Sequence, residues 1–132
     1  MTRNVKILIV DDEVRNRQLL DVFMTTAGYQ TVLASSGIET LALAVTEQPD
    51  AILMDLMMPN MDGFQVLQHL KENPATQRIP VIVVSALDDT AARQRVLASG
   101  AVACINQPVD RWALSQCLQQ LLNRTEAEDG ND

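Results

Sequence analysis

The chain has 132 residues, 47% of them hydrophobic and 20% charged, a size and balance that suit one soluble globular domain with a real core. Its net charge of −7 argues against a nucleic-acid surface, and no apolar stretch approaches the ~18 residues of a membrane span. Met1-Thr2-Arg3-Asn4 does not read as a signal peptide. Cys104 and Cys117 form no CxxC pair, and with one histidine in the chain they read as two thiols in a reducing cytosol rather than zinc ligands.

Val5-Lys6-Ile7-Leu8-Ile9-Val10 is a short, β-branched apolar run that predicts a buried strand ending at Asp11-Asp12. Val14, Leu19, Leu20, Val22 and Phe23 follow at helical spacing, with Gly28 as the stop. Thr31-Val32-Leu33-Ala34 predicts a second strand. Ser36 and Glu39 form a capping-box pattern, and the helix they open carries Leu41, Ala42, Ala44 and Val45 before Pro49. Ala51-Ile52-Leu53-Met54 predicts a third buried strand, ending at Asp55. The loop Leu56-Met57-Met58-Pro59-Asn60-Met61-Asp62-Gly63 is rich in turn residues, and Asp62-Gly63 launches a helix from Phe64 to about Glu72. Val81-Ile82-Val83-Val84 is the most strand-like run and ends at Ser85. A helix from about Asp88 to Ser99, with Asp88 and Asp89 as cap residues, ends at Gly100. Val102-Ala103-Cys104-Ile105 predicts a weaker fifth strand, ending at Asn106-Gln107-Pro108. The last helix starts near Asp110 as N-cap and is expected to bury Trp112, Leu114, Cys117, Leu118, Leu121 and Leu122. The domain is expected to occupy residues 1–124, with acidic residues 125–132 as a frayed tail or the start of a linker.

This alternation predicts an α/β fold: (βα)₅, a doubly wound parallel sheet of five strands, flavodoxin-like, with right-handed crossovers. Periodicity alone does not fix the strand order. The expected order 2-1-3-4-5 has its switch point between the first and third strands, which end in Asp12 and Asp55, and ligands of such sheets bind there. Three carboxylates in one pocket repel one another unless a cation offsets them, and all-oxygen ligation suits Mg²⁺ better than zinc. A plainer role for Asp11 or Asp12 is to cap the first helix. The methionines at 54, 57, 58 and 61 read as packing, His69 as a surface helix residue, and Arg93 and Arg95 as a solvated helix face.

Taken together, Ile9-Val10-Asp11-Asp12-Glu13, Leu53-Met54-Asp55-Leu56-Met57-Met58-Pro59-Asn60-Met61-Asp62-Gly63, Val84-Ser85-Ala86, and Gly100-Ala101 followed by Gln107-Pro108-Val109-Asp110 carry a resemblance. Over residues 5 to 123 the chain resembles a receiver domain of a two-component response regulator. The resemblance implies that Asp55 accepts a phosphoryl group. It implies that Asp11 or Asp12, with Asp55 and the backbone carbonyl of Met57, binds Mg²⁺, and that Ser85 bonds the phosphoryl group and switches position. It also implies a cytoplasmic protein that catalyses only its own phosphorylation and dephosphorylation. Its partners would be a histidine kinase or phosphotransfer protein and, through the face of fourth helix, fifth strand and fifth helix, an output domain or downstream protein. No direct nucleic-acid or membrane contact is expected. The chemistry agrees: an ionised carboxylate is a competent phosphoryl acceptor once charge is neutralised and the groups are aligned.

Two positions depart from the family pattern. Gln107 stands where receivers usually carry lysine, and Cys104 where many carry tyrosine or phenylalanine. A hydrogen bond to a charged group contributes about 1.5–3 kcal/mol, of which neutral glutamine recovers part, so altered switching is expected. The alternative is a pseudo-receiver, a binding module that phosphate does not control. A haloacid-type phosphatase would need a second acid two residues after the nucleophile, where Met57 stands, and a flavin carrier would need a hydroxyl- and glycine-rich first loop.

Overall fold

The structure, a computed structural model, describes residues 5–58, 61–85, 90–107 and 109–130, with residues 124–130 as backbone only. Its elements are β1 (Lys6–Val10), α1 (Val14–Thr26), β2 (Gln30–Ala34), α2 (Gly37–Glu47), β3 (Ala51–Met54), α3 (Gly63–Glu72), β4 (Val81–Ser85), α4 (Thr90–Ala98), β5 (Ala103–Asn106) and α5 (Arg111–Gly130). The expected cap residues Asp88 and Asp89, and Pro59, Asn60, Ala86 and Pro108, lie outside the described residues.

All four strand pairings are parallel, as the alternation predicts, and the order is the expected β2-β1-β3-β4-β5. The three central strands are apolar at nearly every position because helices cover both faces of a parallel sheet. One face carries Leu8, Val10, Ile52, Met54, Val81 and Val83, which pack with Val66, Leu67 and Leu70 of α3 and Val96 of α4. The other carries Ile7, Ile9, Leu53, Ile82 and Val84, which pack with Leu20 and Met24 of α1 and Leu114 and Leu118 of α5. These alternate along each strand, as the period-two geometry of a strand demands.

The helices bury narrower stripes than their composition suggests. On α1 the inward positions are Leu20 and Met24, one turn apart, while Val14, Leu19 and Val22 stay exposed. On α5 Leu114 and Leu118 are fully buried and Cys117 and Leu121 pack beside them, but Trp112 is 71% exposed, contrary to expectation. Trp112 lies off the 114/118/121 stripe, and its ring takes the Arg111 guanidinium at 5.3 Å instead. The backbone of α5 stays helical to Gly130, past the boundary at 124. Residues 125–129 hold no helix breaker, and Glu126, Ala127 and Glu128 are good helix formers.

Helix ends follow the capping signals with small differences. Ser36 Oγ accepts from the Glu39 amide at 3.2 Å, while the Glu39 carboxylate reaches one residue further back, to the Ser35 amide at 2.7 Å. A reciprocal capping box opens α3: Asp62 accepts from the Gln65 amide and Gln65 Oε1 from the Asp62 amide, at 3.0 and 3.1 Å. Asp110 accepts from the Trp112 amide at 2.9 Å, as expected of an N-cap. Among the described residues no helix is long and apolar enough to cross a membrane.

Candidate acidic site at the strand ends

β1 and β3 are neighbours in register, Val10 opposite Met54, so the residues that follow each strand emerge side by side. The backbone holds both exits. The Asp55 amide donates to the Val10 carbonyl at 2.9 Å, and the Asp11 amide donates to Ala34 at 3.2 Å. As a result one carboxylate oxygen from each of Asp11, Asp12 and Asp55 lies within 4.8 Å of the others.

Their surroundings differ. Asp11 is buried and Asp12 exposed, with Asp55 between the two. Asp11 Oδ1 accepts from the Glu13 amide at 2.9 Å, but its Oδ2 is buried with no hydrogen-bond partner. Such an atom costs free energy unless something else satisfies it. Asp55 Oδ1 accepts from the Met57 amide at 3.3 Å. Burial pushes the Asp55 carboxyl up to about 6, and the charges of Asp11 and Asp12 add to the rise, against the opposing amides of Met57 and Leu56. Burial also raises the Asp11 carboxyl, against the opposing Glu13 amide and Asn16 side chain, and the charges of Asp12 and Glu13 add to the rise. A divalent cation with oxygen ligands would meet both needs, offsetting the raised carboxyls and partnering Oδ2.

Helix capping does not account for these acids. The N-cap position of α1 belongs to Glu13, which makes no side-chain cap bond, and neither Asp11 nor Asp12 occupies it. Arg17, which sequence reasoning passed over, reaches back from α1 to the Asp11 carbonyl, Nη1 to O at 2.7 Å. An arginine one turn into the helix is within reach of the preceding loop, but a backbone acceptor leaves no mark in the sequence.

Ser85 ends β4, the neighbour of β3, and is buried. Asn106 lies opposite it on β5, and the Gln107 amide donates to the Ser85 carbonyl at 3.1 Å. Gln107 itself lines a cleft of about 360 Å³ with Asn16, Leu19, Leu20 and Val109. Cys104 is buried opposite Val83. His69 is exposed on α3. Arg95 is exposed, as expected of a solvated face, while Arg93 is half-buried. Arg95 stacks on Phe64 of α3 at 4.1 Å, and Arg93 bonds to β5. Residues that point sideways from a helix reach its neighbours even when the helix itself is on the surface.

The family model of the response regulator receiver domain matches residues 7–119. The chain belongs to this family. As a receiver domain of two-component signalling it is 42% identical to the response regulator PleD of Caulobacter vibrioides over 107 residues, 81% of this chain and 24% of PleD. Among solved structures it is similar to the chemotaxis response regulator CheY4 of Vibrio cholerae (TM-score 0.84, 28% identity, 90% of this chain and 99% of that one). It is equally similar to the receiver domain of the sensor histidine kinase PA1611 of Pseudomonas aeruginosa, whose structure has a magnesium ion coordinated in the active site cleft (TM-score 0.84, 26% identity, 92% and 99%). The chain spans about a quarter of PleD and about half of several other curated relatives. Receiver domains bind Mg²⁺ at an acidic pocket, and response regulators work with histidine kinases and output domains.

Proposed function

We propose that this receiver domain accepts a phosphoryl group on Asp55, in the presence of Mg²⁺, from the phosphohistidine of a cytoplasmic histidine kinase or phosphotransfer protein. The observation that carries the reading is the three-aspartate cluster with its unpartnered, buried Asp11 oxygen. Asp11, Asp12, Asp55 and the backbone carbonyl of Met57 would hold the ion. When bound, Mg²⁺ would neutralise the carboxylates and draw negative charge from the transferring phosphoryl group.

The chain's own groups do the rest. Asp55 is the nucleophile: one carboxylate oxygen forms the O–P bond as the donor's N–P bond breaks, and the leaving imidazole takes up a proton. With its carboxyl near 6, Asp55 is mostly ionised at neutral pH, so no general base is needed. The Met57 amide fixes one of its oxygens. The Ser85 hydroxyl, on the adjacent strand end, is the donor to a phosphoryl oxygen. Gln107 takes the position of the usual lysine and leaves that oxygen with a weaker, neutral partner, and Cys104 replaces an inward-turning aromatic. We therefore propose a receiver that accepts phosphate readily and switches weakly, with the face of α4, β5 and α5 as the output surface.

Incubation with acetyl phosphate and Mg²⁺, followed by intact mass, tests this. The expected result is a gain of one phosphoryl group that EDTA abolishes. No gain in the parent would favour a pseudo-receiver.

A further inference from the structure

The side chain of Arg93 ties the weakly packed α4 to β5. Val96 is its buried residue, so little apolar surface holds it down. Arg93 instead spans the gap to β5. Its Nη2 donates to the Cys104 carbonyl at 2.9 Å and its Nη1 to Asn106 Oδ1 at 2.6 Å. The two acceptors are alternate residues of β5, an edge strand of the sheet, so one guanidinium fork grips both its backbone and its end. The lower bond lies beside the buried Cys104, and the upper one is solvent-exposed.

The upper acceptor is also the residue closest to the phosphate-binding end. Asn106 is paired with Ser85 across the β4–β5 ladder, and the next amide, that of Gln107, is bonded to the Ser85 carbonyl. A backbone displacement of Ser85 toward a phosphoryl group on Asp55 would therefore move the strand end that Arg93 holds. A two-pronged contact needs both acceptors at fixed spacing, so it favours the arrangement in which both bonds form and resists the displaced one.

Resting on the phosphoacceptor reading above, we infer that Arg93 is a latch: it holds α4 on the end of β5, and phosphorylation of Asp55 releases it through Ser85 and Asn106. Arg93 touches neither the acidic cluster nor a phosphoryl group, so it is a positioning residue. In this chain it joins the phosphate site to the output face, in the region where the usual lysine and aromatic are replaced by Gln107 and Cys104.

Because coupling is reciprocal, a latch that opposes the phosphorylated arrangement must lower affinity for a phosphoryl mimic, and removing it must raise that affinity. The test titrates beryllofluoride, with Mg²⁺, into the parent, Arg93→Met and Asn106→Ala, and follows amide exchange over residues 90–107. The latch predicts affinity higher by about fivefold or more in Arg93→Met, a smaller rise in Asn106→Ala, and faster exchange of α4 before the mimic is added. A merely structural arginine would leave affinity unchanged or lower it, and either result overturns the latch. If Arg93→Met does not fold, Asn106→Ala decides by the same criterion. Failure of the parent to bind beryllofluoride would overturn the phosphoacceptor reading and the latch with it. Binding by the parent with unmoved variants would overturn the latch alone.

Discussion

Gly63 lies directly against Leu56: a Cβ built on Gly63 falls 2.8 Å from the Leu56 Cα, and the Gly63 amide donates to the Leu56 carbonyl at 2.8 Å. This contact closes the loop that follows Asp55 and brings the capped start of α3 back to the strand end. No side chain fits there, because the obstructing atoms are backbone as well as the Leu56 methyl.

Gly63→Ala is expected to lower stability by about 1–3 kcal/mol, as overpacking does, and to disturb the Asp55 loop. Thermal denaturation should show a Tm lower by several degrees, with slower uptake of phosphate from acetyl phosphate. A variant with parental Tm and rate would show that the loop tolerates the added methyl group.

The raised Asp55 carboxyl makes stability depend on pH in a defined direction. A carboxyl at about 6 in the folded chain and near 3.8 unfolded means that the folded protein binds the proton more tightly between those values. Metal-free protein should therefore gain stability as pH falls from about 6 toward 4, and the penalty is fully present at pH 7.5. Burial and the neighbouring charges raise Asp11 as well, which acts in the same sense. Asp55→Asn removes the dominant charge, so its metal-free Tm at pH 7.5 should exceed that of the parent. Millimolar Mg²⁺ should raise the parental Tm at pH 7.5, less so in Asp12→Ala, and the gain should shrink toward pH 5 as protons compete. A parental Tm indifferent to Mg²⁺ at pH 7.5 would count against the metal site.

Much of this was legible from the residues alone. Two central strands ending in acids and a third ending in Ser85 follow from apolar runs interrupted by polar residues, and the parallel pairing follows from alternation with helices, whereas periodicity leaves the strand order open. Side-chain direction was less legible. Trp112, Val14, Leu19 and Val22 all looked inward by hydrophobicity, yet each helix has room for one stripe on the sheet, already filled by Leu114 and Leu118 or by Leu20 and Met24. The contacts that Arg93 and Arg95 make are not announced by their helix, because their partners, Cys104, Asn106 and Phe64, belong to elements distant in sequence. Arg17 escaped notice for a different reason: its partner is a backbone carbonyl, which no residue pattern encodes.

Gln107→Lys should strengthen the response to phosphorylation more than phosphoacceptance itself. A lysine adds a charge-assisted bond that forms only with the phosphoryl group present, so it favours the switched arrangement selectively. In the resting protein it would also offset the acidic cluster and weaken Mg²⁺ binding somewhat. Amide exchange over residues 90–107, with and without phosphorylation, should change more in the variant than in the parent, at similar rates of phosphate uptake. A full change already present in the parent, with nothing added by lysine, would make Gln107 a neutral replacement.

Asp55 itself is expected to carry the phosphoryl group. Borohydride reduces an aspartyl phosphate to homoserine, which marks the modified residue permanently for peptide mass mapping. After treatment with acetyl phosphate and Mg²⁺, homoserine is expected at position 55, absent from the EDTA control and from Asp55→Asn. Homoserine at Asp11 or Asp12 instead, or at no position in a protein that folds and binds Mg²⁺, would contradict it.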